Sequence, residues 1–181
     1  MPDFSIESAL LSRRGVLKVS VCASALLATA GLTASLSGCS ASASARGFSV
    51  LRSSDLAFLR ALIPVMLAGS VVAASMPDAA KATLNKLDNN LNHLSPALLG
   101  LTQQLFDVLA MPVTRGPLTG VWGRWENASP EDIQHFLLRW QNSSLNLLKM
   151  GHGSLVQLVM MSWYECPQSW AVCGYPGPPK I

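Results

Sequence analysis

Cys166 and Cys173 are the residues whose type and spacing most directly suggest chemistry. Seven positions apart with Pro167 between them, they look able to close a short disulfide loop. Loop-closure entropy for so small a ring contributes about 2.5 kcal/mol. Two free thiols, or a bond to a partner chain, are the rival reading. Other reactive groups lack a setting. His93, His135 and His152 lie far apart, with no His or Cys three or four positions away, so no metal-ligand spacing exists. No Cys-x-x-Cys-His run could attach a c-type haem. No serine stands in a Gly-x-Ser-x-Gly elbow, and no Gly-rich phosphate loop follows a strand. Glu131 and Asp132 are better placed to cap a helix than to trade protons.

Two further groups carry an address instead of a reaction. Arg13 and Arg14, in Ser12-Arg13-Arg14-Gly15-Val16-Leu17-Lys18, precede an uncharged apolar stretch that ends at Leu36-Ser37-Gly38-Cys39. A basic region followed by an apolar one is the pattern of an export signal. The paired arginines resemble the twin-arginine signal, with Val16 where Phe is usual. Leu36-Ser37-Gly38-Cys39 resembles a lipobox, in which Cys39 would be acylated and become the new N-terminus. Ala43-Ser44-Ala45 is the competing cleavage site, which would release a chain beginning at Arg46.

These addresses divide the chain. Residues 1–38 read as a twin-arginine signal peptide with a lipobox, 39–48 as a flexible Ser/Ala tether, 49–164 as a helical domain and 165–181 as an extended tail. The chain carries 13 Lys and Arg against 10 Asp and Glu, with the bases scattered, so no basic stripe argues for nucleic acid. Ala61 to Pro77 is uncharged but shorter than the roughly 20 residues a membrane-spanning helix needs, and reads as buried helix plus loop.

The fold class expected is all-α, a small bundle of about five helices, because apolar residues recur at steps of three and four. Leu56, Leu59, Ile63 and Met66 line the first helix, with a kink or early end expected at Pro64. The second begins around Met76 to Asp78, with a seam of Leu84, Leu87, Leu91 and Leu94; Lys81, Lys86 and Asp88 fall elsewhere on its surface. Ser95-Pro96 starts a third helix with a seam of Leu98, Leu101, Leu105 and Val108. Residues 112–127, with Trp122 and Trp125, read as a loop holding one short helical turn. Ser129-Pro130-Glu131-Asp132 is a strong helix start, followed by a stripe of Ile133, Phe136, Leu137 and Trp140. A last helix spans about Ser144 to Tyr164 and is interrupted by Gly151-His152-Gly153. Each glycine there costs about 1 kcal/mol relative to Ala, which suggests close packing or a bend.

The closing residues hold Ser162-Trp163-Tyr164, then Ser169-Trp170, then Gly174-Tyr175-Pro176-Gly177-Pro178-Pro179. With the twin-arginine leader and the intervening helices, this run resembles the gluconate 2-dehydrogenase subunit 3 family, the small subunits of membrane-associated flavoprotein dehydrogenases. The resemblance implies a non-catalytic partner of a large FAD-dependent oxidoreductase of the glucose-methanol-choline (GMC) class, often with a multihaem cytochrome c. It further implies that the twin-arginine translocase carries the large subunit out with its small companion. This chain would then hold no cofactor and lie in the periplasm, anchored by a lipid on Cys39. Trp163, Tyr164, Trp170, Gly174, Tyr175, Pro176, Gly177 and Pro178 would form an aromatic and proline clamp on the partner; the alternative, compatible with it, is that the tail folds back on the chain's own helices. Cys166, Cys173 and the lipobox depart from the family pattern. The rival reading is a stand-alone helical envelope lipoprotein with a structural or lipid-binding role; a remoter one is an enzyme using His152 or Arg124 in a cleft.

Overall fold

A computed structural model describes residues 43–177. Arg13 and Arg14, expected to form an export signal, Cys39, expected to be lipidated, and Pro178 of the expected clamp lie outside the described residues. Those described are all-α: seven α-helices, two 3-10 turns and two isolated β-bridges, with no sheet among them.

Helix α1 (Ser53–Met66) starts where the Asp55 carboxylate accepts the Arg52 backbone N–H at 2.9 Å. It runs two residues past Pro64, so the expected early end does not occur. A ring without an N–H forfeits one hydrogen bond near a helix end, where the last turn tolerates the loss. The buried face is Leu56, Phe58, Leu59, Leu62 and Ile63, wider than the expected seam. Helix α2 (Met76–Asn92) has Pro77 in its first turn and buries Leu84, Leu87 and Leu91, as the periodicity predicts.

Asp88, expected on the surface of α2, is only 7% exposed. Its Oδ2 accepts the Ser49 N–H at 2.7 Å, and its Oδ1 accepts those of Val50 and Leu51 at 2.9 Å each. Three donors converging on one carboxylate compensate its lost hydration. They also bind the segment before α1. There Ser44 bridges Arg52, Ala45 donates to the Leu51 carbonyl at 2.8 Å, and Phe48 donates to the Ala45 carbonyl at 2.9 Å. The flexible tether expected over 39–48 is therefore already structured by Ser44.

Helix α3 (Pro96–Ala110) buries Phe106 and Leu109. Leu98 and Leu101, expected in its seam, are 54% and 63% exposed. The face of α3 that meets the core instead carries Leu99, Leu105, Phe106 and Leu109. The sequence after it is more regular than expected: α4 (Pro112–Thr119) turns 83° from α3, and a 3-10 turn spans Trp125–Asn127. No single described helix is long and apolar enough to cross a membrane. Helix α5 (Pro130–Gln141) opens with the expected capping box, Ser129 Oγ accepting the Asp132 N–H at 3.1 Å while the Asp132 carboxylate accepts the Ser129 N–H.

Helix α6 (Asn146–Tyr164) passes unbroken through Gly151-His152-Gly153. A Cβ on Gly151 would stand 2.6 Å from Trp140 Cζ3, so the absent side chain makes room for that indole. Helix α2 lies along α6, α6 against α5, and α1 against α2 and α3. Between them runs a ladder of buried rings from Phe106 through Phe58, Trp125 and Phe136 to Trp140, with successive centroids 5.2, 6.2, 5.9 and 5.0 Å apart. Both indoles are anchored by their polar ends. Trp125 donates to the Leu109 carbonyl and Trp140 to the Leu118 carbonyl, each at 2.9 Å.

A seventh helix, α7 (Pro167–Cys173), occupies the tail expected to be extended. Pro at its first position and Gly174 just beyond its end, in the left-handed region at φ 66°, are the ordinary start and stop of a helix. This short helix decides the state of the thiols. Seven residues of helix separate their backbones by roughly 10 Å, beyond the ~7 Å limit for a disulfide. Cys166 and Cys173 are accordingly free, the first buried and the second exposed, and the expected bridge is not formed.

Candidate interaction surface

The surface is built outward from Trp170. Its indole N–H donates to the Tyr164 carbonyl at the end of α6 (3.0 Å), and its own carbonyl accepts the Tyr175 N–H (2.9 Å). The Tyr175 ring meets it edge-on, centroids 5.7 Å apart and planes at 84°. Gly177 closes over the same indole with φ 97°, and a Cβ there would stand 3.1 Å from Trp170 Cζ3. Both the positive φ and the close approach favour glycine. The tail thus folds back on α7, and Trp170 fixes the residues on either side of it.

Of the expected clamp, Tyr164 (52% exposed), Tyr175 (49%) and Pro176 present surface, while Trp170 supports them from beneath. Trp163 is 2% exposed and belongs to the core, a correction to its placement at a partner interface. Adjacent helical residues point about 100° apart, so the face of α6 that turns Trp163 into the core leaves Tyr164 directed to its exposed side. Met161 on α6 and Val172 on α7, absent from the expected clamp, are exposed as well. The missed signal was Pro167 followed by Gly174, which marks a helix and hence which side of it Val172 occupies.

One buried and one exposed polar contact hold this end of the molecule. Ser169 Oγ donates to the Cys166 carbonyl at 2.8 Å, and Asn90 Nδ2 on α2 reaches Glu165 Oε1 at 2.9 Å. Burial is the main cause that pushes the Cys166 thiol above its usual pKa, with Glu165 adding to the rise and Lys86 and Thr83 opposing it. A raised pKa means less thiolate, the reactive species, at neutral pH. Alkylation of the native protein followed by peptide mass mapping is therefore expected to label Cys173 well before Cys166. Denaturation should make the two equal, and equal native labelling would contradict the burial of Cys166.

The other candidates are dispersed. His152 lines a groove of about 570 Å³ with Pro64, Val65, Gln134, Leu137 and Gln141, and burial lowers its pKa. His93 and His135 are exposed, as is Arg124 ahead of the second 3-10 turn. Among the described residues no three His, Cys, Asp or Glu side chains come together as a metal-binding group. Comparison with protein-family models, with curated proteins and with solved structures gives no match to this chain.

Proposed function

We propose that this chain is a non-catalytic small subunit that escorts and stabilises a large flavin-dependent dehydrogenase acting on a sugar, sugar acid or alcohol. The carrying observation is the exposed Tyr164, Tyr175 and Pro176 held in place by Trp170, on a helical end that also exposes Met161 and Val172. Aromatic side chains with restricted rotamers bury much area at little entropic cost and recur as interface anchors. The export arginines Arg13 and Arg14 would carry the pair through the twin-arginine translocase. A lipid on Cys39 would hold it at the periplasmic membrane surface, where a multihaem cytochrome c could accept electrons from the partner's FAD. Processing upstream at Cys39 is favoured by the position of Ala45, since cleavage after Ala45 would remove a buried residue that donates a hydrogen bond to Leu51.

The test is recovery of the tagged chain from native envelopes and measurement of co-purifying FAD. The wild type is expected to bring down a flavoprotein. Tyr164→Glu/Tyr175→Glu should reduce the flavin recovered about thirtyfold, the effect of losing a hot spot of ~2 kcal/mol. Both tyrosines are half exposed, so the variant leaves the core intact. Absence of any FAD-bearing companion from the wild-type eluate would reject the proposal.

A further inference from the structure

The turn before α1 closes one end of a groove of about 510 Å³ that the clamp does not use. Its most buried lining is apolar, from Phe48, Ile63 and Leu84, with Pro77 more exposed, and three bases line it: Arg46 from the turn, Arg60 from α1 and Lys81 from α2. No Asp or Glu lines it. Among the described residues the ion pairs are those of Arg52 with Asp55 and Asp107, so none of the three bases is paired within 4.0 Å. On α2 the lining residues Pro77, Ala80, Lys81, Leu84 and Asn85 follow one helical face, so the groove is a property of regular structure. Gly47, at φ 87°, forms the turn that carries Arg46, and the Asp88 carboxylate ties down the three residues after Phe48.

Cationic walls over an apolar floor suit an amphiphile with a negative head. We propose that this groove binds an acidic phospholipid of the membrane surface, Arg46, Arg60 and Lys81 taking the head-group phosphate and the floor receiving part of an acyl chain. Charge complementarity and covalent reach both select that occupant. Arg46 is seven residues from Cys39, a span of at most about 25 Å of extended chain, so acylation of Cys39 would keep the groove beside a bilayer. The inference rests on the membrane-facing part of the proposed function and is independent of the flavoprotein partner. Its consequence is orientation: a lipid-anchored domain with a second, electrostatic contact presents a defined face outward.

Residues from Ser44 on form one compact unit with its own core, so a chain begun at residue 39 and carrying Cys39→Ser is a fair probe free of the lipid anchor. It is floated with vesicles of phosphatidylcholine alone or of phosphatidylcholine with phosphatidylglycerol. Binding to the acidic vesicles only is expected. Arg46→Gln/Arg60→Gln/Lys81→Gln should weaken it on the order of a hundredfold, since each base near an anionic surface contributes several-fold. Arg124→Gln/Lys149→Gln, which removes bases elsewhere, should keep it within a few-fold. Inorganic phosphate at matched ionic strength should not displace the vesicles. Undiminished flotation of the triple variant, an equal loss in the control variant, or displacement by phosphate beyond that by chloride would each overturn the proposal. Flavin recovery plays no part in this assay, so its failure and that of the escort reading are separately visible.

Discussion

Trp125→Ala is expected to lower the stability of the helical domain by about 4 kcal/mol, the usual range for emptying a large aromatic site in a packed core. Trp125 sits at the middle of the ring ladder, touching Phe58 of α1 and Phe136 of α5, and is 2% exposed. Removing it also leaves the Leu109 carbonyl, at the end of α3, without its indole donor. Total stabilities of single domains are roughly 5–15 kcal/mol, so a loss of this size consumes a large share. In thermal unfolding followed by circular dichroism the midpoint should fall by roughly 10–20 °C. Trp125→Phe keeps most of the ring but not the N–H, and should fall by a smaller amount. A midpoint for Trp125→Ala within a degree or so of wild type would mean that the ladder is not the core.

The second large effect is expected at Asp88, where charge and burial act together. Asp88→Ala deprives Ser49, Val50 and Leu51 of their acceptor, and Leu51 is fully buried. Hydrogen bonds to a charged group contribute more than neutral ones, and buried donors left unpaired cost about 1–3 kcal/mol each. A loss of about 3 kcal/mol follows if some of the freed donors regain water. Asp88→Asn is the informative companion. Its remaining oxygen can serve Val50 and Leu51 as Oδ1 does, while its amide N–H₂ would oppose the Ser49 N–H, so an intermediate loss is expected. Urea unfolding measures both, and limited proteolysis localises the effect: cleavage between Ser44 and Arg52 should accelerate in Asp88→Ala. Equal stability of wild type and Asp88→Ala would show that the three bonds hold nothing in place.

These two residues illustrate opposite degrees of legibility. Trp125 is visibly a large apolar group, but the Gly- and Pro-rich residues around it read as loop. The reason it is core lies in Leu109, sixteen positions away, whose carbonyl fixes the indole. Asp88 looks like one more polar residue on the wet side of an amphipathic helix. Its burial depends on a segment nearly forty positions earlier that brings three backbone donors to it, and no periodicity within α2 encodes that approach. Leu98 and Leu101 fail in the other direction. Their spacing is that of a buried seam, yet no neighbouring helix covers them, because α3 turns the neighbouring face of Leu99, Leu105, Phe106 and Leu109 to the core.

What the chain determined by itself was local. The caps at Ser129 and Asp132, the prolines at helix starts, and the three-and-four spacing in α1, α2 and α5 are written in adjacent residues, because helix formation is governed by interactions within a turn or two. The all-α class follows from that spacing alone. Tertiary structure decided which faces pair and which stay bare, and with them the candidate sites. Trp163 went inward and Tyr164 outward, Cys166 and Cys173 were held apart by a helix, and Arg46, Arg60 and Lys81 were gathered from three elements into one groove. The physical reason is that burial and charge depend on what arrives from elsewhere in the chain. A residue's neighbours in sequence set its direction on a helix, and only packing sets what it faces.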